Sequence, residues 1–123
     1  MGKIAFVFAG QGAQYPGMGK ELCEISPSAK AVFERAEQLR PGTMMQCFEG
    51  SKEELALTLN TQPCLYSVDL AAAYALSEAG IRPDCLAGFS LGEVAALAFA
   101  EVFEPEKGFL LVCKRAELMQ KAA

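Results

Sequence analysis

Histidine is missing from this chain of 123 residues. No imidazole within it can serve as the base of a Ser-His or Cys-His pair, as a metal ligand or as a switch near neutral pH. Positive charge is not in excess either. Eleven Lys and Arg face 15 Asp and Glu, for a net charge of −4, the wrong sign for a nucleic-acid binder. Long apolar runs are lacking too. Residues 70–76 and 94–100 are the longest, far below the about 20 that a bilayer-spanning helix needs. The N-terminus carries one Lys, a short apolar run and then Gly-Gln-Gly, which is no signal peptide. The cysteines, Cys23, Cys47, Cys64, Cys85 and Cys113, are odd in number and too widely spaced for CxxC. Neither a disulfide framework nor a zinc site is suggested. They read as buried free thiols in a reducing compartment. The expectation is a soluble, cytoplasmic protein with no nucleic-acid or membrane partner.

What is present is globular. Hydrophobic residues make up 52% and charged residues 21%, enough for one domain with a modest core. Residues 3–8 (KIAFVF) read as a buried parallel strand ending at Ala9-Gly10. The glycine-rich stretch 10–19 reads as a loop. Ser26-Pro27 supplies a cap and an N1 proline for a helix. Ala29, Val32, Phe33, Ala36 and Leu39 then follow at helical spacing until Pro41-Gly42. Ser51-Lys52-Glu53-Glu54 fits a capping box. Thr61-Gln62-Pro63 is expected to open a long helix ending at Gly80. Residues 85–88 form a second short strand, a helix follows over about 91–101, and Pro105 starts the last. The order predicts an α/β domain with parallel strands and flanking helices. Two strands do not make a stable sheet of this class, so the fold looks partial, or takes its missing strands from another chain.

Three constellations carry chemistry. The first is Gly88-Phe89-Ser90-Leu91-Gly92, a G-x-S-x-G between a strand and a helix. That is the context of a nucleophile elbow: the turn projects the serine hydroxyl and leaves the Leu91 N–H at a helix N-terminus. A Gly-Ser turn that merely caps a helix is the plainer alternative. The second is Gly10-Gln11-Gly12-Ala13-Gln14, directly after the first strand. It is not a dinucleotide fingerprint. It is either a simple turn or a second oxyanion donor opening at the same sheet edge. The third is Arg115, whose helical neighbours Leu111, Val112, Leu118 and Met119 are all apolar. A guanidinium embedded in such a face needs an anionic partner. Either the arginine snorkels or pairs with a local carboxylate such as Glu117 or Glu93, or it holds a substrate carboxylate bidentately. Lys107, Lys114 and Lys121 share one helix face, either solvated or a docking patch for an acidic partner.

Together these residues resemble the acyltransferase family of malonyl-CoA:acyl-carrier-protein transacylases. GQGAQ after the first strand, Thr61-Gln62-Pro63, GFSLGE around Ser90, and the stretch KRAELMQ over 114–120 stand in the family's order and separations. The resemblance spans the chain and implies a partial α/β-hydrolase-like large subdomain. Residues 1–123 would be its N-terminal part, lacking the ferredoxin-like small subdomain. It implies that Ser90 takes a malonyl group from malonyl-CoA and passes it to the phosphopantetheine thiol of acyl carrier protein, in fatty-acid or polyketide synthesis. Gln11 and Leu91 would supply the oxyanion-hole N–H groups, Arg115 would bind the malonyl carboxylate, and Gln62 would lie near it. Leu91 after the nucleophile goes with malonyl rather than branched units. No metal or bound cofactor is implied, since CoA and the pantetheine arm are substrates. Phe89 replaces the family's usual His before the nucleophile, and the family's catalytic His lies beyond the matching segment. The expected further partner is therefore the remaining part of the acyltransferase, or another copy of the chain. Two alternatives remain: a serine hydrolase or esterase built on the same elbow, and a non-catalytic fragment that binds CoA or a carrier protein.

Overall fold

The computed structural model describes residues 2–123. Its elements run β1 (Ala5–Phe8), α1 (Lys20–Ile25), α2 (Pro27–Leu39), α3 (Thr43–Glu49), α4 (Lys52–Ala56), α5 (Thr58–Glu78), β2 (Cys85–Gly88), α6 (Leu91–Phe99) and α7 (Pro105–Ala122). The two strands pair in parallel, with Ala5 opposite Cys85 and Phe8 opposite Gly88. This is the expected α/β class with a parallel sheet, although helices dominate. Side chains alternate across β1. Phe6 and Phe8 are buried, whereas Ala5 and Val7 are exposed. On the buried face the Phe99 ring of α6 lies 5.7 Å from Phe6, 6.0 Å from Phe8 and 5.5 Å from Tyr74 of α5, a tilted aromatic cluster of favourable spacing.

The helical layer centres on α5, against which α2, α6 and α7 pack. Phe33, Tyr66, Leu70, Leu91 and Val112 are fully buried there. The start of α2 is as the sequence indicates. Ser26 Oγ accepts from the Ala29 N–H at 3.1 Å and donates to Glu78 Oε1 at 2.8 Å, with Pro27 in the first turn. Among the described residues, no helix is long and apolar enough to cross a membrane.

Several expectations need correction. The long helix opens at Thr58, not at Thr61, so Pro63 lies inside it. The cause is the junction with α4. Asn60 Nδ2 donates to the Glu54 carbonyl at 2.9 Å, and the Thr61 hydroxyl bonds the carbonyls of Leu55 and Leu57. These bonds close the end of α4 and build the first turn of α5 before the proline arrives. Pro63, the sixth residue of the helix, then forfeits the one backbone bond that its N–H would have made. The capping box is half made: Ser51 Oγ accepts from the Glu54 N–H at 3.0 Å, but the Glu54 carboxylate turns to Gln46. Helices α1 and α3 had no signal in the periodicity. In α3 the Glu37 carboxylate accepts from the N–H groups of Gly42 and Met44 at 2.7 and 2.9 Å. Those bonds hold its pKa below the usual carboxylate range. Arg40 ties the turn together through Thr43, Gln46 and Asn60. The five cysteines are free, but only Cys47 and Cys64 are buried. Cys85 is exposed, because its face of the sheet is uncovered.

Candidate active site

β2 ends at Gly88, and two residues later Ser90 adopts φ 55° and ψ −111° before α6 begins. Positive φ in a serine costs about 1–3 kcal/mol and persists only where the surroundings over-determine it. Here they do. Phe89 donates its N–H to the Phe8 carbonyl at 3.1 Å, locking the turn to β1. The Gly92 and Glu93 N–H groups bond the carbonyls of Phe89 and Ser90 at 2.9 and 3.0 Å. A Cβ on Gly88 would strike the Gly92 carbonyl and the Glu93 nitrogen, and one on Gly92 would strike the Phe8 carbonyl. Glycine at both positions is what lets the strand run so closely into the helix. Gly10 meets the same elbow from the other loop, where a Cβ would strike the Phe89 carbonyl. The two loops at the carboxyl ends of the strands are therefore in contact.

The Ser90 hydroxyl is exposed and accepts from Arg115 Nη2 at 3.2 Å. Arg115 Nη1 donates to Gln62 Oε1 at 2.7 Å, and Gln62 Nε2 faces Met119 Sδ at 3.1 Å. Gln62 is wholly buried. Three elements thus converge: α5 brings Gln62, α7 brings Arg115, and the elbow brings Ser90. Leu91 opens α6, where first-turn N–H groups lack helical acceptors. Gln11 sits on the neighbouring loop. Its Nε2 donates to Thr58 Oγ1 at 3.1 Å, while the Gly12 N–H bonds Gln14 Oε1 at 2.7 Å. Phe89 is 75% exposed beside Gly10.

Arg115 differs from its expected setting. It is half-buried, and of its four apolar neighbours only Val112 is buried; Leu111, Leu118 and Met119 are exposed. Its partner is neither Glu117 nor Glu93. Glu117 pairs with Lys114 at 3.6 Å. The guanidinium instead reaches across to α5 and the elbow, a direction set by helix packing. Lys107, Lys114 and Lys121 are exposed. Among the described residues no acceptor takes the Ser90 hydroxyl proton.

Two residues here escaped sequence reasoning, Thr58 and Asp69, while Met119 figures there only as an apolar neighbour of Arg115. Thr58 stands one turn before Gln62 on the same helix face, a spacing that could have flagged it. Asp69 interrupts an otherwise apolar stretch of α5, which is itself a signal. Its Oδ2 is buried without a hydrogen-bond partner among the described residues. Burial pushes the carboxyl up to about 7, opposed by the Ala9 N–H. A cavity of about 320 Å³ between α2, α5 and α7, lined by residues such as Val32, Leu70 and Phe109, includes none of the expected site residues.

The arrangement pairs a strained serine hydroxyl with a cation that can hold an anionic group beside it. The family model for the acyl transferase domain matches residues 5–123. A malonyl CoA-acyl carrier protein transacylase from Bacillus subtilis (strain 168) is 46% identical over 123 residues, covering 99% of this chain and 39% of the relative. The crystal structure of the malonyl-CoA:ACP transacylase of Synechocystis sp. PCC 6803 superposes with a TM-score of 0.93 at 43% identity, over 99% of this chain and 41% of that one. A malonyl-transacylase solved in complex with a type II polyketide acyl-carrier protein gives a TM-score of 0.91 at 35% identity, over 99% and 40% of the two chains. The chain spans about two fifths of the length of the curated relatives it matches. Over those residues, the chain belongs to the acyl transferase domain family.

Proposed function

We propose that this chain carries the nucleophile and carboxylate-binding part of a malonyl transferase, working in the cytoplasm in fatty-acid or polyketide synthesis. It would be the N-terminal part of an α/β-hydrolase-like large subdomain, residues 1–123, with the ferredoxin-like small subdomain outside it. The observation that carries this reading is the Gln62–Arg115–Ser90 contact chain, 2.7 and 3.2 Å long. A cation fixed beside a nucleophile suits an acyl group that bears its own carboxylate. A plain ester would gain nothing from it.

In the proposed cycle Ser90 Oγ attacks the thioester carbonyl of malonyl-CoA, and the C–S bond breaks. The CoA thiol leaves, and the malonyl group stays as a serine ester. A pantetheine thiol of acyl carrier protein then attacks that ester and restores the hydroxyl. The N–H groups of Gln11 and Leu91 would hold the oxyanion, with the start of α6 favouring the developing charge. Arg115 would turn from the Ser90 hydroxyl to clamp the malonyl carboxylate, and buried Gln62 would orient it. The exposed Lys107, Lys114 and Lys121 would meet the acidic carrier protein. The base that takes the Ser90 proton must come from outside, because the chain has no histidine.

The test is acyl labelling from radioactive malonyl-CoA, with and without the part of the Bacillus subtilis relative that lies outside the match. Label is expected on Ser90 only when that part is supplied, and Ser90→Ala abolishes it. Arg115→Ala should slow malonyl transfer about a hundredfold, roughly 3 kcal/mol, and acetyl transfer only slightly. Equal losses for the two acyl groups would overturn the clamp. Label that persists in Ser90→Ala would overturn the nucleophile.

A further inference from the structure

Of the two N–H groups that would hold the oxyanion, only one is fixed by its own helix. Leu91 opens α6. Gln11 stands between Gly10 and Gly12 in the loop after β1. Gly12 takes φ 117°, a conformation open to glycine because it has no Cβ. Glycine on both sides leaves the peptide of Gln11 few backbone restraints. The loop's own bonds add little. The Ala13 N–H reaches the Gly10 carbonyl at 3.3 Å, and the Gly12 N–H reaches Gln14 Oε1 at 2.7 Å. Both curl the loop onto itself. Among the described residues the Gln11 N–H donates to no acceptor, so it is available to a ligand.

The side chain of Gln11 supplies the missing restraint. Its Nε2 donates to Thr58 Oγ1 at 3.1 Å. Thr58 is the half-buried first residue of α5. The turn that carries it is pinned. The Asn60 and Thr61 N–H groups both bond the Leu57 carbonyl at 2.8 Å, and Asn60 Nδ2 bonds the Glu54 carbonyl at 2.9 Å. One turn further along the same helix face, Gln62 holds Arg115 at 2.7 Å. A single face of α5 therefore grips the Gln11 loop through position 58 and the cation through position 62.

We propose, resting on the transferase reading above, that Thr58 is a positioning residue: through the Gln11 side chain it aims the Gln11 N–H at the oxyanion site beside Ser90. Thr58 touches no substrate. Its hydroxyl oxygen carries the role, as acceptor for Gln11 Nε2. An oxyanion donor works because it is aimed before charge develops, and a loop free to turn about its glycines loses that aim. The developing charge is the same for every acyl group. Thr58 therefore sets the rate for malonyl and acetyl transfer alike, whereas Arg115 distinguishes them. The two glutamines of GQGAQ divide the work: Gln14 folds the loop on itself, and Gln11 ties it to α5.

Thr58→Val is the discriminating variant, since it keeps the shape and removes the acceptor. In the chain itself, nitrogen-15 relaxation of the Gln11 amide should show the order parameter falling from about 0.8 to below about 0.6. Thr58→Ser should keep the parent value, and Tm should move by less than about 2 °C in both. Kinetics use the chain joined to the unmatched part of the Bacillus subtilis relative. There Thr58→Val should lower kcat about tenfold for malonyl and acetyl transfer equally, with KM within about twofold. Thr58→Ser should restore it. Gln11→Ala keeps the backbone N–H and should reproduce the loss. The double variant should lose no more than either single one. An unchanged order parameter, multiplying losses in the double variant, or a raised KM at unchanged kcat would each overturn the proposal. An active parent matched in kcat by Thr58→Val overturns it alone. A parent whose Ser90 takes no acyl group overturns the transferase reading with it.

Discussion

The helical layer and the sheet obey different accounts of stability. Between α2, α5 and α7 the large side chains are buried and the polar groups answered. Tyr66 gives its hydroxyl to the Pro105 carbonyl at 2.8 Å, Ser67 gives its own to the Pro63 carbonyl at 2.8 Å, and Glu78 takes both Ser26 and Ser28. The sheet is finished on one face only. Phe6 and Phe8 meet Phe99, but Ala5, Val7, Cys85 and Ala87 are exposed, and Asp69 keeps a buried oxygen without a partner. Ser90 follows the carboxyl end of that sheet, in a turn held by backbone bonds from Phe89 to Phe8 and within the elbow. The difference implies that the helical layer holds the fold, while the sheet contributes one packed face only.

The largest expected effect lies at the seam between the two regions. In Gly92→Ala the new Cβ meets the Phe8 and Ala9 carbonyls, backbone atoms that cannot swing aside. A loss of more than about 4 kcal/mol is expected, enough to unfold a domain of this size. Thermal melting followed by circular dichroism checks it. A folded variant with a near-native Tm would show that the strand and α6 are less tightly joined than their close approach indicates. Next is Leu70→Ala, in the middle of the helical layer and wholly buried. Removing it should cost about 3–5 kcal/mol by urea titration. A cost under 1 kcal/mol would contradict the view that this layer holds the fold.

Asp69 tests the unfinished side through pH. Its folded pKa, raised to about 7 by burial, exceeds the unfolded value of about 3.9. The folded state therefore holds the proton more tightly. Its contribution to stability is full below about pH 4 and is lost as pH rises through about 7. The span should be about 2–3 kcal/mol once partial solvent access is allowed for. Asp69→Asn should flatten that slope. An unchanged slope would move its origin elsewhere.

The elements that could be read from the sequence owe their form to neighbours in the chain. β1 and β2 are short apolar runs ended by glycine, α2 has its serine cap and first-turn proline, α7 opens at a proline, and the Ser90 elbow announces itself because two glycines are sterically required around it; the expected full burial of β1 fails, because Ala5 and Val7 face the uncovered side. What could not be read depends on distant partners. Helix α3 starts where Glu37 reaches it, and α5 starts early because Asn60 and Thr61 turn back to α4. Arg115 could be singled out by its apolar neighbours, but its link to Gln62 and Ser90 exists only once α7 lies across α5. Asp69 is visible as an oddity in an apolar run, while its buried, unpartnered oxygen shows only in the fold.

The smallest effects come from making one substitution on both sides. Cys47 is wholly buried, and its thiol points at the Cys64 carbonyl at 3.9 Å; Cys85 is exposed on the bare face of the sheet. Cys47→Ser places a hydroxyl in an apolar pocket. Its one available acceptor offsets part of the desolvation, leaving a cost of about 1–2 kcal/mol. Cys85→Ser exchanges one exposed group for another and should fall within about 0.5 kcal/mol of the parent. The thiol-reactive probe DTNB should agree in kinetics, titrating Cys85 at once and Cys47 only on unfolding, because burial hides that thiol while the neighbouring Cys64 side chain and burial together raise its pKa. Were Cys85 protected and Cys85→Ser costly in the chain alone, the sheet face would already be covered, by a second copy. The contrast between a self-sufficient helical layer and an open sheet would then hold only for the monomer.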